Sequence, residues 1–216
     1  MTGATTRRRG RPATATRDDV LRLARAQYMD GHKVDVTIVA RSLGLGRATI
    51  YRWFGSRERL LAEVISIELE TLVTRERRAV RQRGAKGLLE VFDRINRRLA
   101  ESVPLRRFVE QERAGAMRLL TGSNGGVQQR SVAAITEMIA TEVATGRYQA
   151  PADPQTLAYA IVRLAEAFLY NDAAFGIRGD HERLREVEAA LLGLPRPVRR
   201  SSRSGAGAST TSARSG

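Results

Sequence analysis

The sequence predicts an all-α protein of about nine helices, with an N-terminal three-helix unit followed by a larger helical bundle. Three observations carry that expectation. Apolar residues recur at offsets of three and four from Val20 to Leu191, and no stretch alternates as a half-buried strand requires. Capping residues and glycines punctuate the runs, with Asp35, Ser56 and Asp153-Pro154 at starts and Gly31, Gly44 and Gly146 at stops. Two neighbouring runs are short and separated only by Gly44-Leu45-Gly46.

The first helix is expected over 18–29, with Val20, Leu21, Ala24 and Tyr28 on one face. Asp35 is placed to cap a second over 36–43, because its carboxylate can accept from the free amides of the first turn. Ile38, Val39 and Leu43 are expected to face inward there, with Leu45 pointing inward from the turn. A third, over 47–54, turns Ile50 and Phe54 to the core and leaves Arg47, Ala48, Thr49, Tyr51, Arg52 and Trp53 outside, with Gly46 at its start. Forked donors, a hydroxyl and aromatic rings on one short helix suit phosphates and base edges in a major groove. An ordinary αα-hairpin with surface arginines shares the local pattern, but three helices around a small core make a complete helix-turn-helix reading head.

Downstream, Ser56 opens a long helix with the stripe Leu60, Leu61, Val64, Ile65, Leu69 and Leu72, ending near 81–84. Further helices are expected over 86–101, 104–120, 127–145, 154–175 and 180–192. In the fourth of these five, Pro154 suits the first helical position. That helix is apolar nearly all round, which implies burial on more than one side. In 127–145, Val132, Ile135, Ile139 and Val143 are expected inward. The domain reading is a basic arm over 1–16, a DNA-binding unit over 17–62, a ligand-binding and dimerisation unit over 63–194, and a basic tail over 195–216.

The run V-A-R-S-L-G-L-G-R-A-T-I-Y-R-W-F-G-S-R-E-R-L-L resembles the DNA-binding domain of tetracycline-repressor (TetR) type regulators, over about 17–64. Gly46 stands where that family commonly has Ser, Trp53 where it has His or Tyr, and Arg57 where it has Lys. Carried over by position, the resemblance implies that Thr49 and Tyr51 meet phosphate or groove edges and that Arg47 and Arg52 meet bases or phosphates. It also implies a phosphate on Arg57 and a further one on Thr37. The segment 157–170, with Pro104-Leu-Arg-Arg-Phe-Val109 upstream, resembles the C-terminal domain of the TetR group that controls quorum-signal degradation.

That resemblance implies a homodimer in which the last two long helices pack against their symmetry mates, with Leu157, Ile161, Leu164, Phe168, Leu184, Val187 and Leu191 divided between core and interface. A two-fold axis agrees with two heads reading a palindromic double-stranded operator. The effector it implies is a small amphiphile, such as a lactone or acyl compound. Polar residues on apolar faces are the best clues to its pocket. Tyr159, Arg163, Glu166 and Tyr170 recur at spacings of four, three and four, and Glu112 interrupts the apolar set Leu105, Phe108, Val109, Ala116 and Leu120. The stripe lines a pocket, or it faces water or the dimer seam with Arg163 and Glu166 paired. Phe92, Ile95, Met117 and Met138 are pocket or plain core.

Charge is uneven. Of a formal net charge of +14, residues 1–17 and 195–216 carry five arginines each and no acid. Both segments are too poor in apolar residues to fold alone. Arg8-Arg9-Gly10-Arg11-Pro12 resembles the AT-hook, which lays an extended chain in a narrow minor groove. A solvated basic tail is the plainer reading of the same residues.

With no cysteine there is no disulfide or thiolate chemistry. No run approaches the roughly 18 apolar residues of a membrane span, so a cytoplasmic protein without membrane contact is expected. Only His32 and His181 are present, metal-ligand spacing is absent, and Gly122-Ser-Asn-Gly-Gly126 lacks the lysine and hydroxyl of a phosphate loop. Neither an enzyme nor a bound cofactor or metal is expected. A ligand-responsive repressor is the leading function, with a sequence-tolerant architectural DNA binder driven by the arginine tails as the alternative.

Overall fold

The computed structural model describes residues 15–122, 126–171 and 180–195. The arm residues Arg8, Arg9 and Arg11, the tail from 196 and the expected end of the long apolar helix at 172–175 lie outside the described residues. The described residues form ten α-helices and a π-helical turn, without a strand among them: α1 Arg17–Met29, α2 Val36–Ser42, α3 Arg47–Phe54, α4 Arg57–Ala79, α5 Gly84–Glu101, α6 Val103–Gln111, α7 Arg113–Thr121, α8 Val127–Ala144, α9 Pro154–Glu166, the turn Ala167–Asn171, and α10 His181–Leu191.

Local chemistry sets most boundaries. Thr16 and Asp19 form a reciprocal capping box at α1. Asp35 accepts from the amides of Thr37 and Ile38, and Ser56 and Asp153 cap α4 and α9 in the same way. Gly44, at φ +65°, turns the chain between α2 and α3 in a conformation that costs other residues strain. At Val80 the backbone becomes extended and the side chain is buried, so α4 ends earlier than expected.

The expected single helix over 104–120 is two. Glu112 leaves helical geometry at φ −133°, ψ 42°, where its carboxylate takes two hydrogen bonds from Arg57. Two inward assignments also reverse. Ile38 is 53% exposed while Val36, Val39 and Ala40 are buried, and Val143 points outward while Glu142 is buried and accepts from the Gly84 amide at 2.8 Å. Gly84 permits that clasp, because it sits at φ +66° and a Cβ there would lie 2.6 Å from the Arg147 carbonyl oxygen.

Two apolar clusters hold the fold together. The first joins α1, α2, α3 and the first half of α4 to Leu105, Phe108 and Val109 of α6 and to Ala116, Leu119 and Leu120 of α7. The second joins the far part of α4 to α5, α8 and α9. The 23-residue α4 runs through both, so the expected boundary between residues 62 and 63 falls inside one continuous helix. Bidentate contacts of Arg17 with Glu63 and of Arg25 with Glu68 brace α1 along it.

Candidate functional site

The α3 surface begins with what is hidden beneath it. Ile50 and Phe54 are buried, and the Arg17 guanidinium stacks 4.5 Å from the Phe54 ring centroid. The Leu45 amide donates to the Ala40 carbonyl at 2.9 Å, which fixes the turn against α2. On the other side Arg47, Ala48, Tyr51 and Arg52 are exposed together, and the Arg47 guanidinium lies 6.0 Å from the Tyr51 ring centroid. Thr49 and Trp53 are half-buried, Trp53 packing against the first cluster rather than standing free. Thr37 is exposed on α2, and so is Ile38, which sequence reasoning had turned inward.

Arg57 departs from its expected role. Its Nε donates to the Val34 carbonyl at 2.7 Å and its two terminal nitrogens donate to Glu112 at 2.8 and 2.6 Å, with both side chains largely covered. Three of its five N–H donors are engaged within the chain, which makes it a structural residue here. Glu112 is likewise a junction residue, shared with Lys33 at 4.0 Å, and does not line the apolar cavity of the C-terminal helices.

That cavity, about 80 Å³, lies between α4, α5, α8, α9, the π-helical turn and α10. One water needs on the order of 10–15 Å³ in the same measure, so a small organic group fits. Its walls are mainly Leu69, Val73, Phe92, Ile95, Ile135 and Ile161. Of the expected pocket residues, Phe92, Ile95, Glu166 and Tyr170 line it. Phe108 and Met117 belong to the first cluster, and Met138 is packed in the second. Tyr159 is 53% exposed, and Arg163 stays near the surface, donating to Glu166 at 2.9 Å and to the Thr121 carbonyl at 3.1 Å. The expected stripe therefore divides, with Glu166 and Tyr170 inward and Tyr159 and Arg163 outward.

Asn96, Ser131 and Glu188 are cavity residues the sequence reading missed. Glu188 follows Leu184 by four positions on α10, and that interruption of an apolar face is the signal that singled out Glu112. It is 0% exposed; one carboxyl oxygen accepts from Asn96 Nδ2 at 2.9 Å, and Oε2 has no partner. Burial pushes its carboxyl up to about 8. Burial also raises Glu166, against the hydrogen bonds from Gln128 and the charge of Arg163, and raises Tyr170.

The expected dimer residues divide too. Leu157, Ile161 and Leu184 are buried within their own chain, on the core side of that division. Leu164 and Leu191 are half-buried, while Phe168 and Val187 line an open apolar concavity with Ala189, Ala190 and Leu194. Among the described residues no helix is long and apolar enough to cross a membrane, and no group of three acidic or histidine side chains is placed to hold a metal.

A family model described as the tetracyclin repressor-like C-terminal domain matches residues 83–193. Among solved structures, the chain is similar to the TetR-family transcriptional repressor QsdR of R. erythropolis. The two are 28% identical, the match covers 84% of this chain and 96% of that one, and the TM-score is 0.75. The TetR-family repressor AlkX of Dietzia sp. strain DQ12-45-1b, implicated in biodegradation of n-alkanes, shares the fold at 20% identity, 84% and 97% coverage and a TM-score of 0.58. Comparison with curated proteins finds no match.

Proposed function

The chain belongs to the tetracycline-repressor family of DNA-binding transcriptional regulators, and from that premise we propose that it is a ligand-responsive repressor that reads a palindromic operator as a homodimer. Residues 17–62 read the DNA, and 63–194 bind the effector and the second subunit. The observation that carries this reading is the joint exposure of Arg47, Ala48, Tyr51 and Arg52 on a helix whose opposite face is locked into the core. In our reading Arg47, Tyr51 and Arg52 supply the phosphate and base contacts, while Gly46 and Ala48 let the backbone approach closely. Thr37, Thr49 and the exposed edge of Trp53 flank them. Ile38 adds an apolar contact of the kind a thymine methyl accepts.

The arm carrying Arg8, Arg9 and Arg11 adds minor-groove contacts in this scheme. Effector binding in the C-terminal cavity favours a dimer geometry in which the two α3 helices no longer span successive major grooves, and the operator is released. The similarity to QsdR over nearly its whole length supports repression as the direction of control.

The test is sequencing of genomic DNA bound by the purified protein, followed by titration of the recovered site. Tyr51→Ala and Arg52→Ala are each expected to weaken binding by about 10- to 100-fold, corresponding to about 1–3 kcal/mol per lost contact, with the helical circular dichroism unchanged. A folded variant of either kind with intact affinity removes that residue from the interface. Equal affinity for random DNA, lost on deleting 1–16, replaces this reading with the sequence-tolerant architectural one.

A further inference from the structure

We propose that the cavity between α5 and α10 takes a short amphiphile whose polar end donates hydrogen bonds, an alkylammonium or an alkanol, seated on Glu188 Oε2 with its chain against Phe92, Ile135 and Ile161. This deepens the effector reading of the C-terminal bundle and rests on it.

The inference starts from an unmet hydrogen-bonding demand. Glu188 is fully buried and lines a mainly apolar cavity; Asn96 satisfies one of its carboxyl oxygens, and Oε2 is left without a partner. Buried polar atoms in folded proteins are nearly always paired, so an unpaired one on a cavity-lining residue marks where a ligand atom belongs. The remaining polar lining does not meet that demand. The Ser131 hydroxyl donates to the Val127 carbonyl at 2.8 Å, and both Glu166 oxygens accept from Gln128.

The sign of the cavity selects the head group. Two carboxyls, Glu166 and Glu188, line it, and no lysine, arginine or histidine does among the described residues. An anionic head would meet two carboxyls and no cation, whereas an ammonium or hydroxyl supplies the donor that Oε2 lacks. An open cleft on the surface shares Leu69, Leu99 and Tyr170 with the cavity.

Binding is tested on the full chain without DNA, by calorimetry and thermal shift at pH 9, where the Glu188 carboxyl is ionised and accepts, with four probes of matched length: hexylamine, 1-hexanol, hexanoate and methyl pentyl ether. Hexylamine and 1-hexanol are expected to bind saturably, and hexanoate and the ether are not. Glu188→Gln is expected to weaken hexylamine about tenfold or more and to change 1-hexanol by less than about threefold. Ile135→Trp, which fills the cavity, is expected to abolish both. Hexanoate or the ether binding as tightly as hexylamine, hexylamine affinity unmoved by Glu188→Gln, or binding by none of the four probes overturns the proposal. If Glu188→Gln does not fold, the head-group order on the unaltered protein still decides it. Operator release is measured separately: probe binding that leaves operator affinity unchanged defeats the repressor mechanism alone, and intact operator recognition with no probe bound defeats this inference alone.

Discussion

At the scale of single residues, Gly46 is a glycine whose backbone geometry does not need one. It caps α3 at φ −76°, ψ 141°, ordinary extended geometry, with no side-chain bond to the free amides and nothing within 4 Å of where a Cβ would stand. A serine there gains a cap and loses freedom in the unfolded chain, so Gly46→Ser is expected to stabilise by about 0.5 kcal/mol and to raise the melting temperature by about 1–2 °C. An unchanged or lower melting temperature would show that the α3 amides are already satisfied.

Glu188 makes the opposite kind of residue-scale prediction. Because burial raises its carboxyl from the usual 4.5 to about 8, the native state holds more protons than the unfolded chain between those values. Its contribution to stability is therefore full below about pH 4.5 and is lost as pH rises through about 8. Glu76 runs the other way: burial pushes it up, but hydrogen bonds from Arg94 and Arg75 outweigh that and hold it low, so its share is lost in acid. Glu188→Gln is expected to flatten the fall in denaturant midpoint between pH 5 and 8; the same slope in variant and parent would place the titration elsewhere. Caps such as Asp35, Ser56 and Asp153 were legible in the sequence because their partners lie two or three residues away. Glu188 was not, because what buries it comes from α5, 92 positions earlier.

At the scale of elements, periodicity gave every helix its place and missed one break. The apolar positions Leu105, Phe108, Val109, Ala116 and Leu120 keep to one side through 104–120, so they read as a single rod. What interrupts it is Arg57, 55 residues away, which holds Glu112 in non-helical geometry. For α2 the difficulty was length: with seven residues, Ile38 and Val36 compete for the inner face, and only contact with α1 and α3 decides. The Arg57–Glu112 pair thus ties the start of α4 to the α6–α7 corner, and its energy is measurable by a double-mutant cycle. Arg57→Met and Glu112→Met are each expected to cost about 1–3 kcal/mol in urea unfolding, and the double variant about 1–2 kcal/mol less than their sum. Additive costs would mean that the corner is set by the backbone and that the ion pair is incidental.

At the scale of the whole molecule, the long helix that joins the three-helix head to the bundle was legible, but the share of α6 and α7 in the head's core was not. The first cluster draws α6 and α7 into the same core as α1–α3, so a displacement of α6 or α7 is felt by the reading head through packing. The proposed dimer interface was the hardest part to read, because a sequence does not distinguish an apolar residue buried in its own chain from one buried against a copy. Leu157, Ile161 and Leu184 proved to be the first kind. Val187 is 41% exposed on α10 and shares its open apolar concavity with Phe168, Ala190 and Leu194. A two-fold axis through this face would cover it with its own copy, since an isologous contact pairs one patch with itself. Val187→Glu places a charge there without touching the core, so the helical content is expected to stay and the mass by light scattering to fall from dimer to monomer. Operator affinity is expected to fall with it, because one head reaches only one half-site and the second, about 34 Å along the DNA, is left unread. A Val187→Glu protein that remains dimeric would move the two-fold axis to another surface, while a monomer that still binds the full operator at parental affinity would show that pairing is not what reads it.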